Sequence, residues 1–184
     1  MPRCKNCRIM FKSTTFLQKF CRTNENCLIA ESQFAVNKLK DNKAKDWTKE
    51  KAVRKKALLS HSEWLNLLQV TFNTFIRFRD KNEGCISCGT KKWDIQYAAG
   101  HFWTVGGFGN VRFDEDNVHK QCNKTCNKEK SGNIIEYRPR LIEKIGLERF
   151  EALEFRARNK SGKLSIPEIE DKIRHYKEQI KTLK

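Results

Sequence analysis

The residues most able to do chemistry are a histidine and an asparagine that lie between two cysteine pairs. The histidine is His101 and the asparagine is Asn117. The pairs consist of Cys85, Cys88, Cys122 and Cys126. Four thiolates at this spacing can close one tetrahedral zinc site. Such a structural zinc would hold His101 and Asn117 close together, and this layout indicates a metal-dependent nuclease.

Each of these two side chains suits a step in phosphodiester hydrolysis. An imidazole is the simplest general base near neutral pH, and on a hairpin strand it can activate a water beside a scissile phosphate. We predict that His101 is this base. The amide of Asn117 can fix the turn between hairpin and helix and orient the imidazole, which keeps one tautomer in place.

A divalent ion, Mg²⁺ or Mn²⁺, is expected to stabilise the charge that develops on the phosphate and on the leaving oxygen. Its ligands must be oxygen or imidazole groups that leave coordination positions open. Asn127, which directly follows Cys126, is the first-choice ligand. His119 is a second ligand, a DNA contact or a packed residue, and the sequence favours the last two interpretations.

A second cysteine quartet near the N-terminus predicts a second structural zinc. It consists of Cys4, Cys7, Cys21 and Cys27. Phe11, Phe16 and Phe20 lie between these cysteines and could pack around a small zinc knuckle. The knuckle could contact DNA or only stabilise the fold. We favour the second role because such sites supply folding energy in either case.

The charge of the chain favours a nucleic acid as partner. It carries 38 Lys and Arg against 22 Asp and Glu over 184 residues, a formal net charge of +16. Such a charge favours binding of a polyanion because neutralised phosphates release condensed counterions. The first residues form no apolar signal segment, and no stretch approaches the roughly 20 apolar residues of a membrane span. We therefore expect a cytoplasmic protein without a membrane partner, and in that reducing compartment paired thiols favour zinc over disulfides.

The composition and hydropathy patterns divide the chain into four segments. These are a zinc knuckle at 1–30, a basic helical linker at 31–60, a nuclease core at 61–146 and C-terminal helices at 147–184. The last helix could dock on the protein itself or pair in a homodimer. The predicted fold class is α+β and mainly helical. A zinc-stabilised ββα-metal centre is joined to the N-terminal knuckle and flanked by long helices.

Within the predicted core, the elements that position the chemistry are short. An amphipathic helix follows Ser60, which has Glu63 three residues later as in a capping box. Short strands are predicted at 96–103 and 111–113, and a helix is predicted to start near Val118. Zinc would tie the turn at Cys85 and Cys88, before the hairpin, to the start of that helix.

Basic and aromatic side chains around the core are candidates for contacts with DNA. The expected phosphate contacts are Arg112, Lys120, Lys128, Lys130 and Arg138. Lys120, Lys128 and Lys130 are favoured because they flank the proposed site within about two helical turns. Phe102 and Trp103 could stack on an unpaired base at a branch point, although packing in the hairpin is the stronger interpretation.

Four stretches of the chain carry a family resemblance. They are Cys-Ile-Ser-Cys-Gly-Thr at 85–90, Ala-Gly-His-Phe at 99–102, Val-Arg-Phe-Asp-Glu-Asp-Asn-Val-His-Lys-Gln-Cys at 111–122 and Asn-Lys-Glu-Lys-Ser-Gly-Asn at 127–133. The sequence resembles the NinG proteins of lambdoid phages, also called Rap, and is similar to the broader His-Asn-His (HNH) endonucleases. The resemblance implies a phage recombination nuclease that cuts branched DNA, such as D-loops and Holliday junctions, in the host bacterial cytoplasm. It also implies that His101 is the base, Asn117 the central asparagine and Asn127 a metal ligand.

The sequence departs from the HNH pattern at two positions. Many HNH enzymes place an aspartate directly before the base or a few residues upstream, whereas this chain has Gly100 there. The second metal ligand is therefore open among Asp94, Asp114, Asp116 and His119. The second departure is the last cysteine gap, which holds three residues where two are commoner and which shifts Asn127 relative to the zinc.

Two other functions fit the same residues. The chain could be a non-catalytic zinc-finger protein that binds DNA as a recombination accessory factor, and the absent upstream carboxylate is the best argument for it. A weaker alternative is RNA binding, which the positive charge alone would also allow. Dependence of DNA cleavage on a divalent ion separates the nuclease from a protein that only binds.

Overall fold

The structure is a computed structural model that describes residues 1–159 and 162–183. Lys160, Ser161 and Lys184, which belong to the predicted C-terminal segment, lie outside the described residues. The chain separates into two compact units, Met1–Leu59 and Ser60–Lys184. Among the described residues, no helix combines the length and apolarity needed to cross a membrane.

The first unit consists of a cysteine knuckle and one long helix. Its small core contains Cys4, Cys27, Phe11 and Phe20. The helix, α1, runs from Glu25 to Ala57 and therefore begins earlier than the predicted position 31. Asn24 is the N-cap of this helix. Its side chain accepts a hydrogen bond from the Cys27 N–H in the first turn, where N–H groups lack a carbonyl partner four residues earlier in the helix. Cys27 is the only described residue of α1 that is fully buried, so most of this basic helix faces solvent.

The second unit is built on two helices that pack against each other. The helix α2 (His61–Arg79) and the helix α5 (Ile166–Thr182) both begin with a serine capping box, and the one at Ser60 confirms the predicted helix start. Tyr176 of α5 packs its ring 5.0 Å from Phe72 and 4.9 Å from Phe75, both on α2. The apolar face of α5 is thus used inside its own unit.

A two-stranded antiparallel sheet carries the candidate site. The strands are β1 (Tyr97–His101) and β2 (Val118–Cys122), with His101 opposite Val118 and Gly100 opposite His119. The prediction of a return strand at 111–113 and a helix start near Val118 is wrong, because Val118 instead begins β2. The connection between the two strands, residues 102–117, contains a short 3₁₀ helix at Gly109–Val111. A strand that is buried on nearly every residue lacks the alternation that identifies most strands.

Helices after the sheet complete the unit. A short π-helix at Asn123–Glu129 leads into α3 (Ile134–Ile145) and α4 (Leu147–Arg158). Their core is aromatic: the Phe102 ring lies 5.5 Å from Tyr137 of α3 and 5.6 Å from Phe150 of α4. The residue after the proposed base is therefore anchored in the core, and this packing limits where His101 can move. The structure is mainly helical with one small sheet, as the fold class predicted in outline.

Candidate functional site

The four cysteines of the second unit converge into one cluster with zinc geometry. The thiols of Cys85, Cys88, Cys122 and Cys126 all lie within 4.8 Å of one another. The Cys88 and Cys122 Sγ atoms are 3.6 Å apart, and none of these cysteines is in a disulfide. Tetrahedral zinc with Zn–S bonds of about 2.3 Å places neighbouring sulfurs about 3.8 Å apart. The donor set therefore fits Zn²⁺, as predicted from the spacing.

The backbone around this cluster favours thiolates. The Cys122 N–H points at the Cys85 Sγ at 3.3 Å. Burial raises the pKa of Cys85, but backbone N–H groups of Cys88, Cys122 and Ser87 outweigh it and lower the pKa below its usual value. Because Cys85 precedes β1 and Cys122 ends β2, a bound zinc would fasten one end of the sheet.

The first unit contains an equivalent cluster. Its thiols, from Cys4, Cys7, Cys21 and Cys27, also lie within 4.8 Å of one another. The Sγ atoms of Cys4 and Cys27 are 3.8 Å apart, and those of Cys7 and Cys21 are 3.6 Å apart. The side chains of Cys4 and Cys27 belong to the small core of this unit. A zinc ion bound here would supply folding energy that such a small apolar core cannot supply alone. Of the three phenylalanines predicted to pack around it, Phe16 is 94% exposed and does not take part.

His101 ends β1 with its imidazole held by the chain. Its Nε2 lies 3.0 Å from the Arg112 carbonyl oxygen. A carbonyl can only accept, so this contact selects the tautomer with a proton on Nε2 and leaves the lone pair on Nδ1. Burial lowers the pKa of His101, an effect that the Arg112 carbonyl partly offsets and the Arg112 charge reinforces. The ring is therefore neutral at pH 7 and can accept a proton through Nδ1.

Asn117 is fully buried and organises the connection between the strands. Its Oδ1 accepts from the Trp103 N–H at 2.7 Å, and its Nδ2 donates to the carbonyls of Trp103 and Val111 at 3.0 and 2.9 Å. These bonds close the loop on both sides, in agreement with the predicted turn-fixing role. The predicted orientation of the imidazole by the Asn117 amide is corrected: the Arg112 carbonyl holds the ring, and Asn117 acts on it only by fixing the loop that includes Arg112.

The two histidines of the sheet face opposite ways. Side chains alternate along a strand, and directly paired residues share a face. His101 therefore shares a face with Val118, whereas His119 shares the other face with Gly100. His119 is 2% exposed, its Nδ1 lies 3.3 Å from the Tyr137 hydroxyl, and burial lowers its pKa to about 3. The tentative role of His119 as a ligand of the catalytic ion is corrected to a core position.

Gln121 explains why Gly100 has no side chain. A Cβ on Gly100 would lie 2.9 Å from both the Cβ and the Cδ of Gln121, and closer still to its Oε1. The Gln121 amide nitrogen donates to Ser87 at 2.6 Å and to the Gly132 carbonyl at 2.5 Å. Its Oε1 is buried and has no hydrogen-bond partner among the described residues. The space beside Gly100 is thus filled by an amide from the neighbouring strand.

Two of the three acidic candidates for the second metal ligand are paired with arginines. Asp114 forms an ion pair with Arg156 at 2.7 Å, and Asp116 pairs with Arg156 at 3.1 Å and with Arg149. Asp94 is exposed and lies before the first residue of β1, whereas His101 is the last residue of that strand. Asn127 lies half-buried on the π-helix directly after Cys126. Apart from the two cysteine quartets, the described residues contain no cluster of three or more His, Cys, Asp or Glu ligands.

The predicted DNA contacts divide into tied and exposed side chains. Lys120 donates to the carbonyls of Lys81 and Glu83 at 3.0 and 2.8 Å and lies over the Tyr97 ring, so its ammonium is tied to the protein. Lys128 and Lys130 are exposed, on or beside the π-helix.

The two predicted arginine contacts are also engaged by the protein. Arg138 is on α3 and pairs with Glu154 at 3.3 Å. Arg112 donates to the Gln69 side chain at 2.6 Å, and its guanidinium lies over the Phe113 ring. Both arginines remain partly open to solvent, so a phosphate could still reach them.

Aromatic residues next to His101 are packed, as the stronger interpretation held. Phe102 is 6% exposed, and the Trp103 ring lies 4.5 Å from that of Phe108. Neither ring is free to stack on a base. The most exposed indole of the second unit is Trp93, at 95%, which lies in the loop between the second zinc cluster and β1.

Sequence reasoning missed a buried ion pair that holds α2 to the sheet. Asp80 is 1% exposed, pairs with Arg79 at 2.8 Å and accepts from the Lys120 N–H at 3.0 Å. Arg79 in turn donates to the Val118 carbonyl at 2.8 Å. Burial raises the pKa of Asp80, but Arg79, Lys144 and the Lys120 N–H together lower it below its usual range. An Arg-Asp pair at the end of an amphipathic helix was the only available signal.

Comparison with known proteins gives one consistent result. The family model described as "Bacteriophage Lambda NinG protein" matches residues 1–184. A protein ninG of Salmonella phage P22 is 39% identical over 132 residues, which cover 72% of this chain and 63% of that protein. A protein ninG of Escherichia phage 933W is 37% identical over 164 residues, which cover 83% and 79%. A protein ninG of Escherichia phage lambda is 39% identical over 132 residues. The similarity thus spans slightly less than two thirds of the P22 and lambda proteins, and no solved structure matches the chain.

Proposed function

This chain belongs to the NinG family of lambdoid phage proteins, and on that premise we propose that it is a metal-dependent, structure-selective DNA endonuclease. It would act in phage recombination on branched DNA, such as D-loops and Holliday junctions, by hydrolysis of a phosphodiester. The observation that carries the proposal is the neutral imidazole of His101. It is tethered through Nε2 and keeps Nδ1 as a base.

The proposed chemistry begins with a water between His101 and a DNA phosphate. Nδ1 of His101 accepts a proton from this water, and the hydroxide attacks phosphorus. The bond between phosphorus and the 3′ oxygen breaks, and the leaving oxygen takes a proton from solvent. The lowered pKa of the imidazole keeps it unprotonated at neutral pH, although it also makes it a weaker base. Asn117 supports the step by fixing the loop from Trp103 to Val111, which carries the chain to the Arg112 carbonyl. The zinc clusters take no part in the chemistry and stabilise the fold.

The proposed partner is DNA because charge and exposure agree. The formal net charge of +16 favours a polyanion, and Lys128 and Lys130 remain exposed. Contacts to phosphates position a protein on DNA and carry no sequence information. They therefore suit an enzyme that recognises the shape of DNA. The proposed location is the host bacterial cytoplasm, where recombining phage DNA is found. A homodimer would place two such sites on a four-way junction.

The residues present do not form a complete site for the catalytic ion. Mg²⁺ and Mn²⁺ prefer carboxylate oxygens, and the described residues bring no carboxylate cluster together. Asn127 supplies one amide oxygen at most. An ion in this protein would need DNA phosphates and water for most of its ligands. We therefore expect weak binding of Mg²⁺ to the free protein.

Cleavage of labelled branched DNA tests the proposal. Zinc-loaded wild-type protein should cut four-way junctions and D-loops with Mg²⁺ or Mn²⁺ and should be inactive when both ions are omitted. His101→Ala should lower the cleavage rate by about 10² to 10⁴ and leave DNA affinity unchanged, because removal of a general base affects only the chemical step. His175→Ala, at an exposed position on α5, is the matched control. Equal cleavage by His101→Ala would refute the role of His101.

A specific observation favours a second function, that of a non-catalytic zinc protein which binds DNA as a recombination accessory factor. Asp114 and Asp116 are neutralised by arginines of α4, and Gln121 fills the space beside Gly100. A protein of this kind would retain the zinc clusters and the positive surface. Binding of junctions without products, at every divalent ion tested, would establish this function in place of the nuclease.

A further inference from the structure

A cleft of about 660 Å³ lies beside the proposed site but does not include His101. One wall is the first turn of α2, with His61 and Leu65. The opposite wall is the loop that follows β1, from Val105 to Arg112. Residues 162–164 and Lys172 of α5 close the third side. A volume of this size is typical of a pocket for a small organic group rather than of a surface dent.

The lining of the cleft combines apolar side chains with positive charge. Leu65, Val105 and Leu164 are partly exposed and supply apolar surface. Arg112, Lys163 and Lys172 supply positive charge. The lining contains one carboxylate, Asp114, and it is paired with Arg156. A ligand that suits this lining has a flat or apolar part and a negative charge.

The loop that forms the wall is fixed but leaves room. Asn110 donates to the carbonyls of Ala157 and Asn159 at 3.4 and 3.3 Å, which ties the loop to the end of α4. A Cβ added at Gly106 or Gly109 would meet no atom within 4 Å. Because nothing in the described protein fills the space above these glycines, a ligand could approach their backbone closely.

Arg112 connects this cleft to the proposed base. Its side chain lines the cleft, while its carbonyl holds the His101 imidazole at 3.0 Å. The residue that orients the base would therefore also contact a group bound in the cleft. A nucleotide held there would lie near the phosphate of the reaction proposed for His101.

We propose that the cleft holds a single unpaired nucleotide of the DNA, next to the scissile phosphate. Its base would lie against Leu65 and Val105, and its phosphate would meet Arg112 and Lys172. A base paired within a duplex is stacked on both sides and cannot enter, so the cleft would select DNA with an unpaired position at a branch. This inference rests on the proposed DNA partner and names the feature of branched DNA that is recognised.

Binding measurements with His101→Ala protein test the inference without interference from cleavage. Two forks that differ only in one unpaired nucleotide at the branch are compared, and 2-aminopurine at that position reports its environment. We expect the fork with the unpaired nucleotide to bind about 10-fold more tightly, with a change in 2-aminopurine fluorescence. Replacing the unpaired nucleotide by an abasic residue should remove most of this preference.

Protein variants locate the effect in the cleft. Lys172→Ala should lower the preference roughly fivefold, whereas Lys177→Ala, an exposed lysine on the same helix, should leave it unchanged. Equal affinity for the two forks, or an equal effect of the two lysine variants, would overturn the inference. Cleavage by wild-type protein distinguishes the two proposals: cutting without the preference refutes only the cleft, and the preference without cutting refutes only the nuclease.

Discussion

The contact between Gly100 and Gln121 makes a quantitative prediction about stability. Gly100→Ala places a Cβ at 2.9 Å from two carbon atoms of Gln121, well inside van der Waals contact. Both residues are buried, so neither can move aside into solvent. Overpacking of this kind destabilises a protein by about 1–3 kcal/mol. We therefore expect Gly100→Ala to lower the free energy of unfolding by about 2 kcal/mol.

Shortening Gln121 should reverse part of this loss. Gln121→Ala alone removes the hydrogen bonds to Ser87 and Gly132, which costs about 1–3 kcal/mol because these partners stay buried. In the double variant the close contacts with Gln121 Oε1 and Cδ are absent, and only the contact with the Cβ of residue 121 remains. The combined loss should therefore be smaller than the sum of the two single losses by about 1–2 kcal/mol.

Urea unfolding followed by tryptophan fluorescence measures these four proteins at one fixed free zinc concentration. Gly106→Ala is the control, since its Cβ would meet nothing within 4 Å, and its free energy of unfolding should change by less than about 1 kcal/mol. Additive losses in the double variant would show that Gln121 does not exclude a side chain at Gly100. The same cycle with aspartate tests whether a carboxylate at position 100 is accepted only when Gln121 is shortened.

Three further predictions follow from the site. The pKa of His101 is lowered, and its neutral form is the base, so single-turnover cleavage should fall to half only below pH 6.5; a midpoint above 6.5 would contradict the environment described for the imidazole. The folded pKa of His119 is about 3 against about 6.5 when unfolded, so the unfolded chain binds more protons and stability is lost as pH falls below 6.5. Between pH 6.5 and pH 5.5 the free energy of unfolding, measured with urea, should fall by about 1 kcal/mol more in the wild type than in His119→Gln. Equal losses in the two proteins would refute a buried, neutral His119. Purified protein should hold two zinc ions per chain by atomic absorption, and Cys122→Ala should hold one; an unchanged zinc content would exclude the second cluster.

Much of the frame of this protein was determined by the sequence alone. Cysteine spacing was sufficient to predict both quartets, because ligands for tetrahedral zinc must come from short, separate turns. Serine followed three residues later by glutamate predicted the start of α2, since a capping box is satisfied within one turn. These features depend on residues that are near one another in the chain.

The tertiary structure alone decided which side chains are free to act. The sequence allowed His119 to bind an ion, but pairing with β1 places it on the buried face, opposite His101. It also left Asp114 open as a ligand, yet Arg156, on a helix 42 residues further along, neutralises it. Strand β2 itself was missed because it is buried on almost every residue, and a pattern without alternation does not identify a strand. Partners that are distant in the chain are chosen by packing, and no local spacing encodes that choice.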